Sequence, residues 1–186
     1  MSTVMLNINL MTLSPWLTIS TLNNRMLVIN VLKVKRIQLL DENASNPDDD
    51  WELDWDSYQG YPPEIYRALA NWALGDIEIA SESYSQEFNK AIKDIIETEK
   101  LDADSIENKI INTMVHYCDG SLQSIHVQEE CLWSIVSNLG YDEPHVFNLS
   151  NADMELERFI PANAICMIDM PLYQVMDTAK LELRKQ

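Results

Sequence analysis

The chain has 186 residues, 46% apolar and 23% charged, with a formal net charge of −17. A chain of this size can bury about 70% of the surface its unfolded form exposes, so a core without disulfide or metal staples is feasible, and the composition argues against global disorder. The charge repels DNA, RNA and anionic membranes and attracts basic surfaces or cations. Gly60, Gly75, Gly120 and Gly140 are the only glycines, too scattered for a P-loop or a G-x-G-x-x-G dinucleotide turn.

Residues 1–24 carry no charged side chain, but Asn7, Asn9, Thr12, Ser14, Pro15 and Thr18 interrupt them. A signal peptide wants a basic start and a continuous apolar run, and a spanning helix wants the run alone; neither is present. Val4, Leu6, Ile8 and Leu10 alternate with Met5, Asn7 and Asn9, the period of a half-buried strand. Trp16–Leu22 is a second strand candidate. Asn23-Asn24-Arg25 is a turn signal, because Asn tolerates positive φ, and the β-branched run Met26–Val34 predicts a third strand. Residues 1–40 thus read as a small antiparallel meander. Met26 as a natural start, with residues 1–25 an extension, is an alternative reading.

Residues 1–40 hold four bases and no acid, whereas residues 41–186 carry a net −21. The change falls at Asp41–Tyr66, which holds nine carboxylates and neither Lys nor Arg. Residues 41–62 read as an acidic, aromatic loop punctuated by Pro47, Gly60 and Pro62. In an extended conformation Trp51, Leu53 and Trp55 face one way and Glu52, Asp54 and Asp56 the other. A calcium loop does not fit: counting from Asp48, the Gly and Glu positions of an EF-hand hold Leu53 and Gln59.

From residue 63 to 186 the chain reads as a mainly helical core, in one compact domain with what precedes it. Pro63 opens a helix through Ile65, Leu69 and Trp72 that stops at Gly75. Three amphipathic helices are predicted between Ser83 and Gly140. The first, with Ser83 and Gln86 at capping-box spacing, turns Phe88, Ile92, Ile95 and Ile96 inward and Lys90, Lys93, Asp94 and Glu97 outward. The second, opened by Asp104 and Glu107, carries Ile106, Ile110, Met114 and Tyr117 to Gly120. The third runs from Ser121 to Gly140 with Leu122, Ile125, Leu132, Val136 and Leu139 inside. Val146–Leu149 suggests a short strand, and Ala164–Ile168 a buried one. Pro171 opens a last helix with Leu172, Met176, Ala179 and Leu183 at helical spacing. The fold class expected is α+β, a helical bundle packed beside a small, mostly antiparallel sheet.

Three cysteines at irregular spacing, Cys118, Cys131 and Cys166, argue against a secreted disulfide framework and fit a reducing cytosol. His116-x-Cys118, His126 and Cys131 match no paired zinc-ligand spacing, and on a helix His116 and Cys118 would point about 200° apart. His126, Glu129 and Glu130 at i, i+3 and i+4 would share one side of a helix. With Glu129 inside the apolar stripe, they offer an acid–base or divalent-metal corner, the basis of an alternative reading as a metal-dependent enzyme. The ordinary explanation is a core carboxylate held by a donor.

The balance of charge favours a non-enzymatic cytoplasmic protein that binds and inhibits a basic partner, such as a nucleic-acid-binding protein or a nuclease. The binding residues would be Asp48, Asp49, Asp50, Trp51, Glu52, Asp54, Trp55 and Asp56, carboxylates with aromatic anchors between them. In surface character alone this is what nucleic-acid-mimic anti-restriction and anti-CRISPR proteins and immunity proteins present. No cofactor, no membrane and no direct nucleic-acid contact are implied. A structural or regulatory assembly subunit is a third reading.

Overall fold

A computed structural model describes residues 15–21, 23–34, 61–75, 85–139, 146–151 and 157–184. The first two strands, β1 (Trp16–Ser20) and β2 (Arg25–Asn30), pair antiparallel around the predicted Asn turn. Asn24 takes a φ of 58°, and the Arg25 amide donates to Thr21 Oγ1 at 3.1 Å. β2 ends at Asn30, short of the expected Val34, where the Lys33 amide turns back onto the Asn30 carbonyl. The predicted strand Val4–Leu10 lies outside the described residues.

Helix α1 (Pro63–Ala73) begins at Pro63 as expected and is followed by Gly75 at φ +85°. Helix α2 (Gln86–Thr98) keeps the predicted face. Ile92 is buried, Phe88, Ile95 and Ile96 are half-buried, and Lys90, Lys93, Asp94 and Glu97 are exposed. Its cap is Ser85, whose hydroxyl accepts from the Phe88 amide.

The two helices predicted over Asp104–Gly120 and Ser121–Gly140 are corrected. A short helix α3 (Ala103–Ile106), capped by Asp102 rather than Asp104, runs into a wider turn over Glu107–Ile111. There the Asn112 amide reaches back five residues to the Glu107 carbonyl at 2.8 Å. Strands β3 (Thr113–Tyr117) and β4 (Leu122–Ile125) follow, and helix α4 spans only Glu129–Asn138. Ile106, Ile110, Met114 and Tyr117 do fit a helical period, but so do Thr113 and Val115 fit a period of two. The sheet decides between them, since β3 lies between two partner strands that satisfy its backbone. Asp119-Gly120 is then a hairpin turn. Gly120 has the positive φ expected of it, +86°, in a different element.

A short hairpin, β5 (Val146–Asn148) with β6 (Phe159–Pro161), precedes β7 (Ile165–Pro171) and helix α5 (Leu172–Arg184). The main sheet is antiparallel in the order β1-β2-β7-β3-β4, so the penultimate element of the chain sits at its centre. The fold is α+β.

Buried apolar residues form two clusters. The first joins Trp16, Val28, Val115, Ile165, Ile168 and Met170 to Leu132 and Ile135 of α4 and to Phe147 and Ile160 of the small hairpin. Trp16 meets Phe147 edge to face, with ring centroids 5.0 Å apart. The second joins Ile65, Leu69 and Ala70 of α1 to Ile92, Ile106, Ile111 and Tyr173. Each fully buried Leu or Ile contributes roughly 1.5–3 kcal/mol relative to exposure.

Candidate functional site

Asp48, Asp49, Asp50, Trp51, Glu52, Asp54, Trp55 and Asp56 lie outside the described residues. The described residues resume after them at Tyr61. Tyr61 donates its hydroxyl to the Glu99 carboxylate just past the end of α2, and its ring packs edge to face on Tyr66 at 6.1 Å. The Tyr66 hydroxyl accepts from the Tyr61 amide at 3.3 Å. The bond to Glu99, then burial, then the Glu99 charge push the Tyr61 hydroxyl up to about 12. Tyr61 is therefore held by the protein's own fold, beside an exposed run of carboxylates at Glu97, Glu99, Asp102 and Asp104. Hydrogen bonds from Ser105 hold Asp102 below the usual carboxylate range, so it stays ionised.

Charge divides unevenly between the described body and the rest. The described residues hold 15 carboxylates against 10 Lys or Arg, a balance of −5. The remaining residues hold 15 against three, a balance of −12.

His126, Glu129 and Glu130 do not share a helix. His126 lies between β4 and the bridge of Val127 to Asn151, and the two carboxylates open α4. The helix begins only at Glu129 because the chain up to Val127 is engaged in sheet-like pairing. Glu129 is exposed as a residue, as is Glu130, so the expectation of a substantially buried Glu129 is corrected. Its carboxyl is nonetheless crowded enough that desolvation, followed by the charges of Glu130 and Asp177, pushes it above the usual range. His126 and Arg67 oppose that shift.

Arg67 of α1 clamps Asp177 of α5 through its fork, Nη2 donating to Oδ1 at 2.8 Å and to Oδ2 at 2.6 Å, and Nε to Oδ2 at 3.0 Å. Tyr173, buried one turn earlier on α5, is pushed well above the ordinary tyrosine range by burial and then by Glu129. Lys180, on the same helix, lies 3.7 Å from Asp177 Oδ1, so Asp177 meets a cation from each of two helices. Among the described residues, no group of three or more His, Cys, Asp or Glu side chains is placed to hold a metal ion.

The helical argument that separated His116 from Cys118 does not apply, because His116 stands on strand β3 and Cys118 just beyond it. Cys131 is buried on α4. Sequence reasoning missed two juxtapositions. Arg25 is paired with Asp169, and Cys118 lies against Cys166. Neither has a local signal, since the partners are 144 and 48 residues apart.

No protein-family model, no curated protein and no solved structure matches the chain. Among the described residues, no helix is long and apolar enough to cross a membrane.

Proposed function

We propose that this is an acidic cytoplasmic binding protein that occupies the basic surface of a nucleic-acid-binding protein or nuclease and inhibits it. The observation that carries this reading is the division of charge. Residues 1–40 hold four bases and no acid, residues 41–186 carry a net −21, and Asp41–Tyr66 alone holds nine carboxylates and neither Lys nor Arg. Asp48, Asp49, Asp50, Glu52, Asp54 and Asp56 supply a field that draws in a basic groove, and Trp51 and Trp55 supply apolar anchors that dwell in it. The carboxylates at Glu97, Glu99, Asp102 and Asp104 extend the same sign of charge beside the point where Tyr61 anchors the stretch.

Capture of partners on the immobilised protein, with elution by a salt gradient, tests the first half. Nucleic-acid-binding proteins should elute late, and a captured nuclease should lose activity when the protein is added back. Surface plasmon resonance then separates the two kinds of residue. Replacing Asp48, Asp49, Asp50 and Asp54 together by Asn should lower the on-rate and flatten its salt dependence. Trp51→Ala or Trp55→Ala should raise the off-rate, by an amount near ~2 kcal/mol for an anchor. Wild-type rates for the fourfold Asn variant at low salt would remove the basis of the proposal.

A further inference from the structure

The ladder between β3 and β7 contains one irregularity. Val115 faces Ile168 and His116 faces Met167, but Tyr117 faces Ile165, which leaves Cys166 as an extra residue. This is a β-bulge, a device that re-aims side chains. Its effect is visible in the core: Ile165 and Ile168 are both fully buried in one cluster, although residues three apart on a regular strand point to opposite faces. Cys166 is left outside that cluster and only partly covered. Cys118 arrives beside it from the end of β3, its amide bonded to the Ala164 carbonyl at 2.8 Å.

The two sulfurs are 3.3 Å apart, with the Cys166 thiol donating toward Cys118 Sγ. A disulfide bond of about 2 Å needs only a small further approach. Cys118 is exposed and Cys166 is partly covered, the asymmetry of an attacking and a resolving thiol. Cys131 is buried elsewhere, on α4.

We infer that Cys118 and Cys166 form a thiol–disulfide exchange site that takes a low-molecular-weight disulfide as its oxidant. The Cys118 thiolate attacks one sulfur of the small disulfide, forming a mixed disulfide and releasing the first thiol. Cys166 gives up its proton to solvent, and its sulfur attacks Cys118 Sγ, expelling the second thiol. Two electrons pass from the protein dithiol to the small disulfide, whose two halves leave as thiols carrying the two protons. Burial and the neighbouring Cys118 push the Cys166 thiol up, so the resolving step quickens toward alkaline pH. The bond would join positions 48 residues apart, linking the end of β3 to the start of β7 across β4, α4 and the small hairpin. This site is independent of the acidic stretch and stands or falls without it.

The test uses the reduced full-length chain with oxidised glutathione, followed by alkylation, intact mass and non-reducing peptide maps. The wild type and Cys131→Ser should each lose the mass of two hydrogen atoms and yield one peptide pair joined through Cys118 and Cys166. Titratable thiols in the denatured wild type should fall from the three of the sequence to one, and dithiothreitol should restore them. Cys166→Ser should stop at a glutathione adduct on Cys118. A wild type that keeps all its thiols, retains a stable adduct without the cross-link, or cross-links through Cys131 overturns the inference. The wild-type map decides the matter even where a serine variant fails to fold.

Discussion

Arg25–Asp169 and Arg67–Asp177 are the same chemical pair set at different depths. The first has side chains 7% and 24% exposed, the second 31% on both sides. Arg67 sets its fork on the Asp177 carboxylate, joining α1 to α5. Arg25 reaches backbone carbonyls as well as its carboxylate. Nε donates to Asp169 Oδ1 at 2.7 Å, and Nη2 donates to the carbonyls of Asn112 at 2.7 Å and Asp169 at 2.8 Å. Nη1 reaches the carbonyls of Lys109 and Ile110 at 3.3 and 3.4 Å. Those carbonyls belong to the end of a helical segment, where intrahelical partners run out and a cation is favoured. Arg25 thereby ties β2, β7 and the entry to β3 into one unit. Arg25 thus satisfies backbone groups from two segments as well as an opposite charge.

The largest expected effect tests that contrast directly. Arg25→Ala leaves a partly buried carboxylate and the four carbonyls of Lys109, Ile110, Asn112 and Asp169 without this donor. It should cost about 3–5 kcal/mol by urea denaturation. A loss under 1 kcal/mol would put Arg25 on a par with Arg67 and dissolve the comparison.

Asp169→Asn keeps the shape and one acceptor for Nε, and leaves the carbonyl bonds of Arg25 in place. A loss of about 2 kcal/mol is expected, the scale of a hydrogen bond to a charged group. If the loss equals that of Arg25→Ala, the carboxylate and not the carbonyl set is what holds the arginine.

For the shallower pair, Arg67→Ala should cost about 1 kcal/mol or less, because water competes for both partners. That small loss should shrink further between 0.05 and 0.5 M salt, as screening removes what Coulomb attraction remains. A salt-independent loss larger than that of Asp169→Asn would reverse the ranking.

The smallest effect carries the opposite sign. Glu129 sits near Asp177 and has its carboxyl pushed up chiefly by desolvation. The folded state then binds its proton more tightly than the unfolded state does. That contribution is fully present below the unfolded carboxylate range and is lost as pH rises through the raised value. At neutral pH the ionised Glu129 is a small cost, so Glu129→Gln should be neutral or slightly stabilising there, with no gain in acid. Thermal melts of both proteins at several pH values from 3 to 8 would show the gap between them open on the alkaline side. A clear loss at neutral pH would instead mean that the carboxylate is paired through Arg67 or His126.

Much of the helical architecture was legible in the residues. Pro63 and Gly75 bracket α1, the spacing of Ile92, Ile95 and Ile96 defines the buried side of α2, and Pro171 precedes α5. The hairpin at Asn23–Asn24 was legible because positive φ restricts the residue types that tolerate it. Of the candidate sites, His126, Glu129 and Glu130 looked like one helical face only because a helix was drawn through Ser121. The acidic stretch, read from composition, lies outside the described residues.

What the sequence determined by itself is therefore local or global: where α1 starts and stops, which side of α2 is apolar, and how charge is apportioned along the chain. Backbone preference and composition suffice for these, because they depend on near neighbours or on none. Only the tertiary structure decided that Thr113–Tyr117 is a strand, since the segment fits both periods and two flanking strands supply its hydrogen bonds. It alone brought Arg25 to Asp169 and Cys118 to Cys166. Those meetings depend on the centre of the sheet being filled by β7, and on one extra residue in that strand, which no local pattern of side chains encodes.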